Sequence, residues 1–86
     1  MERGVFPREV TTDTPRITVT GREQVRVEQH GGLTSFSPEE IVLRTAGGAI
    51  AIQGEALRFS AYSAAEAVIL GHISRITLRE GSGGER

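Results

Sequence analysis

The chain has 86 residues and no cysteine, which allows one small domain and excludes disulfide staples and thiolate metal sites. Ten basic and eleven acidic residues give a formal net charge of -1, so no global field attracts nucleic acid or an anionic membrane. No run approaches the ~20 apolar residues of a membrane span, and the first residues lack the apolar segment of a signal peptide. We therefore expect a cytoplasmic protein that does not insert directly into a membrane.

The two ends of the chain lack the periodicity of folded elements. Residues 1–14 mix charges and threonines with Pro7, and residues 80–86 are rich in glycine and polar side chains. We predict a flexible N-terminal arm over 1–14, a β domain over 15–79 and a disordered C-terminal tail over 80–86.

Between the ends, apolar residues recur at every second position, which is typical of strands buried on one face. Segments 17–19 and 25–27 are predicted to pair through a hairpin loop at 21–23. Segment 50–52 alternates with small alanines, which predicts a central strand covered on both sides. The remaining predicted strands are 33–36, 41–43, 57–59, 68–70 and 76–78.

Two segments have the spacing of a helix capping box, Ser37–Glu40 and Ser63–Glu66. Each is followed by β-branched residues and soon by glycine, which leaves too few residues for a stable helix. We interpret both as turns, with at most a single helical turn at 63–66.

The fold prediction is an all-β, single small domain of about seven or eight short, mainly antiparallel strands, folded as a roll, barrel or sandwich. No helical crossover is long enough for a parallel pair. Ile73 and Ile76 have opposite parity, which predicts a bend or bulge within 71–74 if 68–78 is one strand. A short β-solenoid is the structural alternative, although the glycine spacing is too irregular to establish a repeat.

Residues suited to metal binding or catalysis are few. Glu28, His30 and His72 would need the fold to supply a metal geometry, and a turn-capping role is commoner for such histidines. We expect the His30 ring to brace the Gly31–Gly32 turn. An enzyme would need a pocket that holds two or more of Glu28, His30, Glu66 and His72. We expect no enzyme, no metal and no cofactor.

A small β-barrel that regulates by binding nucleic acid is the alternative function. Such proteins combine clustered cations with exposed aromatic rings. Phe36 and Phe59 fit the pattern of core residues, which leaves Tyr62 as the free ring. The available cations form a dispersed stripe of Arg16, Arg26, Arg44 and Arg58. We therefore do not expect nucleic acid as a partner.

A protein-interaction module is the interpretation that remains, because a small domain gains stability when another chain covers a sheet face or pairs with an open strand edge. Val42 and Ile69 lie on the predicted outer parity of their strands and form the candidate interaction surface. The alternative is that the fold buries both faces of the sheet at these positions.

The predicted β domain opens with PRITVTG at 15–21, which is followed by VRVEQHGG at 25–32. These stretches resemble the YabP/YqfC family of sporulation proteins, and the similarity continues over most of residues 15–78. The chain is more similar to the YqfC branch, because of the PRIT start and FPREV at 6–10. The later matching stretches are EIVLRT at 40–45, GAIAIQG at 48–54, LRF at 57–59 and VILGHISRI at 68–76.

The chain departs from the family pattern at one turn. The family usually shows asparagine before the histidine and a basic residue after it, where this chain has Gln29 and Gly31. A role for a cationic side chain at position 31 therefore does not carry over. His30 and Gly32 are retained. The candidate structural signature consists of Glu28, His30, Gly32, Gly48, Gly54 and Gly71, with Gly21 at the first turn.

The resemblance implies a non-enzymatic protein made during endospore formation, in the cytoplasm of the mother cell, that serves assembly of the spore envelope. The family brings no active site to transfer. The expected partner is another protein, with an integral membrane sporulation protein at the forespore membrane or a second copy of the chain as the candidates.

Overall fold

The computed structural model describes residues 14–80, and every regular element in that range is a β-strand. All neighbouring strands are antiparallel, in the order β1-β2-β6-β5-β4-β3 within one sheet. The all-β, antiparallel prediction is confirmed, and the β-solenoid alternative is wrong. The predicted arm and tail fall outside the described residues, except for Thr14 and Glu80. The strands are β1 (Arg16–Thr20), β2 (Gln24–Glu28), β3 (Gly32–Ser37), β4 (Glu40–Thr45), β5 (Gly48–Tyr62) and β6 (Glu66–Glu80).

A long hairpin of β5 and β6 forms the centre of the sheet, and each of these strands has 15 residues. The structure has six strands instead of seven or eight, because predicted segments 50–52 and 57–59 belong to β5, and 68–70 and 76–78 to β6. Segment 50–52 pairs with β4 on one side and β6 on the other, as predicted for a central strand. Within the described residues, no helix is long and apolar enough to cross a membrane.

The two short hairpins extend opposite ends of the central hairpin. β2 pairs with residues 66–70 of β6, whereas β4 pairs with residues 48–53 of β5. We call β1, β2, 66–70 and 58–62 the β2 half of the sheet. The β4 half consists of β3, β4, 48–53 and 75–80.

The two halves bury one shared core. Val25 and Val27 of the β2 half belong to the same apolar cluster as Ile41 and Leu43 of the β4 half. Because β2 and β4 are not neighbours in the strand order, the bent sheet must enclose this cluster between its halves. The fold is thus one open sheet rolled around its core, which is the roll among the predicted arrangements and neither the closed barrel nor the two-sheet sandwich. The other members of the cluster are Ile50, Ile52, Leu57, Ala67, Ile69 and Ile73.

The sheet bends where bulges interrupt the pairing of β5 with β6. Ser74 is left without a cross-strand partner, which places a bulge inside the predicted segment 71–74. On β5, Ala56 and Leu57 together lie opposite Gly71. The extra residue turns Leu57 toward the core, where its side chain is buried.

The two short turns dock onto the bend. Gly71 and Ile73 donate backbone hydrogen bonds to the β1–β2 turn, at the carbonyls of Glu23 (3.2 Å) and Arg22 (2.8 Å). In the same way, β5 donates to the β3–β4 turn through Gly54 N–H to the Glu39 carbonyl (3.0 Å) and Leu57 N–H to the Pro38 carbonyl (2.9 Å). Backbone N–H groups that the bulges remove from the ladder are thereby satisfied, as buried donors require.

Two glycines allow the strands to approach at the bend. A Cβ at Gly54 would overlap the backbone carbonyl oxygen of His72. Gly71 has φ +145°, and a Cβ there would lie 2.8 Å from the Ala56 carbonyl oxygen. Neither position accepts a side chain without moving the opposite strand.

Replacing Gly54 with alanine should lower the free energy of unfolding by about 2 kcal/mol or more, because the backbone of β6 must move to admit the methyl group. Gly47→Ala is the matched control, since a Cβ at Gly47 meets nothing within 4 Å. Urea unfolding followed by circular dichroism measures both. Equal stability of the two variants would contradict the close approach at the bend.

Candidate functional site

His30 lies in the connection between β2 and β3, and its ring joins three parts of the chain. Its Nε2 donates to the carbonyl of Ser63 (2.8 Å) in the β5–β6 turn, and its Nδ1 accepts from the N–H of Gly32 (2.9 Å). The ring packs against Tyr62 with a centroid distance of 5.1 Å. His30 is only 6% exposed. We call this arrangement of the ring and its three neighbours the His30 junction.

The partners of the ring determine its tautomer. A backbone N–H can only donate and a carbonyl can only accept, so Nδ1 must be unprotonated and Nε2 must carry the hydrogen. The ring therefore braces the turn at Gly32, where the sequence analysis expected it. Both ring nitrogens are thus engaged with backbone groups of the chain itself.

Gln29 precedes the ring in a left-handed conformation, with φ 68°. Its N–H donates to the carbonyl of Ala65 (2.6 Å), so the connection is held to the β5–β6 turn at two successive residues. Asparagine adopts this conformation more readily than glutamine. The YabP/YqfC family, which the sequence resembles, usually has asparagine at this position, and asparagine suits this backbone conformation better than Gln29 does.

A cation lies at this turn although position 31 is glycine. The Nη1 of Arg44 donates to the Gly31 carbonyl (3.4 Å), and the Gly31 N–H donates to the Arg44 carbonyl (2.6 Å). The positive charge at the turn is therefore supplied from β4. Sequence reasoning about position 31 alone missed it, because the contact joins residues that are far apart in the chain.

The acidic residues considered for catalysis lie on the outer face of the β2 half. Glu28 and Glu66 are direct cross-strand neighbours. Arg16 lies 3.9 Å from the Glu28 carboxylate and Arg26 lies 3.2 Å from the Glu66 carboxylate. These exposed ion pairs offset the repulsion between the two carboxylates and are each worth less than about 1 kcal/mol.

His72 lies apart from these residues, on the exposed side of the bend. Two shallow depressions of about 340 and 420 Å³ flank it. Neither is lined by Glu28, His30 or Glu66. No group of three His, Cys, Asp or Glu side chains over residues 14–80 is arranged to hold a metal ion.

The four arginines considered for phosphate binding each contact an acceptor of this chain. Arg16 and Arg26 are in the ion pairs on the β2 half, whereas Arg44 contacts Gly31. Arg58 donates to the carbonyl of Ala56 (3.0 Å). By register, Arg16, Arg26 and Arg58 lie on the outer face of the β2 half, whereas Arg44 lies on β4 in the other half.

The candidate surface of Val42 and Ile69 is wrong, because both side chains are buried. Ile69 is 0% exposed, since segment 66–70 has the opposite parity to the predicted one and directs Ile69 into the core. Val42 points outward from β4 but is only 6% exposed. The Glu40 carboxylate accepts from Gln53 (3.1 Å) and Arg79 (3.4 Å) on the same face, so long polar side chains bridge the strands around it.

Exposed apolar side chains lie instead at the rim of the core. By register, Val19 and Leu78 belong to the core-facing side of the sheet, opposite Val25 and Ile50, yet they are 48% and 68% exposed. Leu33 and Phe36 of the edge strand β3 are 41% and 50% exposed. We call these four side chains the apolar rim.

An aromatic row connects β3 to the end of β5. Phe36 stacks on Phe59 with a centroid distance of 5.7 Å, and Phe59 meets Tyr62 edge-on at 5.3 Å. Tyr62 in turn contacts His30. The sequence analysis expected Phe36 in the core, but its position on an edge strand leaves half of its surface exposed.

These features define a small all-β domain that, over the described residues, presents an apolar rim and two open edge strands. Residues 11–85 match the model of the YabP family, and the chain belongs to that family. It is 40% identical over 50 residues to a Bacillus subtilis (strain 168) protein titled "Uncharacterized protein YqfC". That match covers 58% of this chain and 54% of the relative, so the chain spans about half the length of the curated protein it matches. No solved structure matches the chain.

Replacing His30 with phenylalanine should keep the contact with Tyr62 but leave the Gly32 N–H and the Ser63 carbonyl without their partner. We expect a loss of about 1–3 kcal/mol in the free energy of unfolding. His72→Phe is the matched control and should change stability by less than about 0.5 kcal/mol, because that ring is exposed. Thermal unfolding of both variants is the measurement. An unaltered melting temperature for His30→Phe would refute the junction.

Replacing Gln29 with glycine should raise the free energy of unfolding by about 0.5–1 kcal/mol, because glycine adopts the left-handed conformation without the steric cost that glutamine pays. Gln24→Gly, in the middle of the sheet, should instead lower stability, since residue 24 has an ordinary strand conformation. Urea unfolding gives both values, and the same sign for the two variants would contradict the backbone assignment.

Proposed function

We propose that this chain is a non-enzymatic protein-interaction module of endospore formation, which acts in the mother-cell cytoplasm in assembly of the spore envelope. Membership of the YabP family, together with the sporulation role that the resemblance implies, supports the process. The observation that carries the interaction role is the apolar rim. Large side chains on the core-facing side of the sheet remain uncovered where the sheet ends.

The rim offers a partner a defined kind of contact. Leu78 is 68% exposed next to core residue Ile50, so a partner that covers it would extend the existing core and not merely adhere to a surface. Burial of an apolar side chain of this size contributes about 1.5–3 kcal/mol. Within residues 14–80, β1 and β3 have a neighbouring strand on one side each, and the backbone groups of their other edges can pair with an extended segment of a partner.

The charge distribution favours a protein partner over a phosphate backbone. The formal net charge is -1, and Arg16 and Arg26 on the outer face of the β2 half are already paired with Glu28 and Glu66. Binding to nucleic acid relies on cations that can neutralise phosphates. We propose that an integral membrane sporulation protein is the partner and that it brings this domain to the forespore membrane.

The test is complementation of a deletion of this gene in its own host. A fluorescent fusion of the wild-type chain should appear in the mother cell during sporulation, gather around the forespore and restore heat-resistant spores. Leu78→Asp should stay folded, because the side chain is mostly exposed, but should become diffuse and fail to restore spores. Thr18→Asp adds the same charge to an exposed position of β1 outside the rim and should behave as wild type.

Two results would overturn the proposal. Signal in vegetative cells with normal spore counts in the deletion strain would remove the sporulation role. Full complementation by Leu78→Asp, with the purified variant shown to be folded, would remove the rim as the site of contact.

A further inference from the structure

The edge strand β3 differs from the other five strands that the structure describes, because it carries no charged residue. Its sequence is Gly-Leu-Thr-Ser-Phe-Ser, with no proline, and among the strands of residues 14–80 it pairs only with β4. Edge strands are usually protected from further pairing by charges, proline or bulges, and of these β3 has only the bulge between Leu33 and Ser35. The opposite edge, β1, has such a charge in Arg16.

The bulge in β3 places its two large side chains on one face. Leu33 lies opposite Leu43 and Phe36 opposite Ile41, and the register shifts between Leu33 and Ser35. Both side chains therefore face the core side of the sheet, although three positions separate them. Phe36 also belongs to the aromatic row.

The strand is complementary to itself when it is reversed. An antiparallel copy centred between Thr34 and Ser35 places Leu33 opposite the Phe36 of that copy. Thr34 then lies opposite Ser35, and small Gly32 opposite small Ser37. Apolar and hydroxyl cross-strand pairs of this kind stabilise antiparallel strands, and no charge is brought against another charge.

We propose that β3 is a homodimerisation edge, to which the β3 strand of a second copy of this chain adds in antiparallel orientation. A twofold axis between Thr34 and Ser35 gives a closed, self-complementary contact and one continuous sheet through both copies. The Leu33 side chain of each copy extends the aromatic row of the other at Phe36. The inference concerns the chain alone and does not depend on the sporulation role.

The test is the mass of the purified full chain over a wide concentration range, by sedimentation equilibrium and light scattering. The wild type should be a dimer in equilibrium with monomer. In the proposed dimer, residue 34 of each copy faces residue 35 of the other. The double variant Thr34→Lys and Ser35→Lys therefore brings two ammonium groups opposite each other at both central pairs. It should raise the dissociation constant by about tenfold or more. Thr18→Lys and Thr20→Lys, on the β1 edge, form the matched control and should leave the dimer intact.

A crosslinking experiment reads the register directly, because the natural chain has no cysteine. Thr34→Cys mixed with Ser35→Cys should give a disulfide-linked heterodimer on oxidation, whereas Thr34→Cys mixed with Thr18→Cys should not. A wild type that stays monomeric at the highest concentration overturns the proposal. So does a dimer that survives the β3 lysines in a variant shown to be folded, or that is lost with the β1 lysines instead.

Discussion

The structure depends on the close contact of two backbones at the bend of the central hairpin. Gly54 lies against the carbonyl of His72, and Gly71 lies against Ala56 and Leu57, so the two strands approach closely there without side chains between them. The bend allows one sheet to supply both walls of its own core. It also frees the N–H groups on which the two short turns dock. Core, turns and rim all take their positions from this contact.

Local patterns were enough to predict the class of fold. The alternation in 17–19, 25–27, 41–43 and 50–52, the loop at 21–23 and the bulge within 71–74 all follow from period and turn chemistry. The parity of 66–70 was wrong because residues 67–70 are apolar on both parities, so the apolar pattern does not show which face of this end of β6 is buried. A shift of one residue exchanges the two faces of a strand, which is why Ile69 was assigned to the surface.

The candidate site was less predictable than the fold, because it depends on which strands end at an edge. Phe36 and Leu78 look like core residues in the sequence, and only the strand order leaves them uncovered. The role of His30 at Gly32 is local and was predicted, whereas its bond to Ser63 joins residues 33 positions apart. The arginines could be listed from the sequence, but their engagement with Glu28, Glu66, Gly31 and Ala56 could not.

The strand order also sets the sequence of events while the chain is being made. A nascent chain that has reached only Thr45 contains two hairpins that do not pair with each other, since both need the β5–β6 hairpin between them. An isolated two-stranded hairpin is marginally stable in water. The first half of the protein therefore stays without a core until β5 and β6 have been synthesised, and throughout that interval its apolar faces are open to chaperones and proteases.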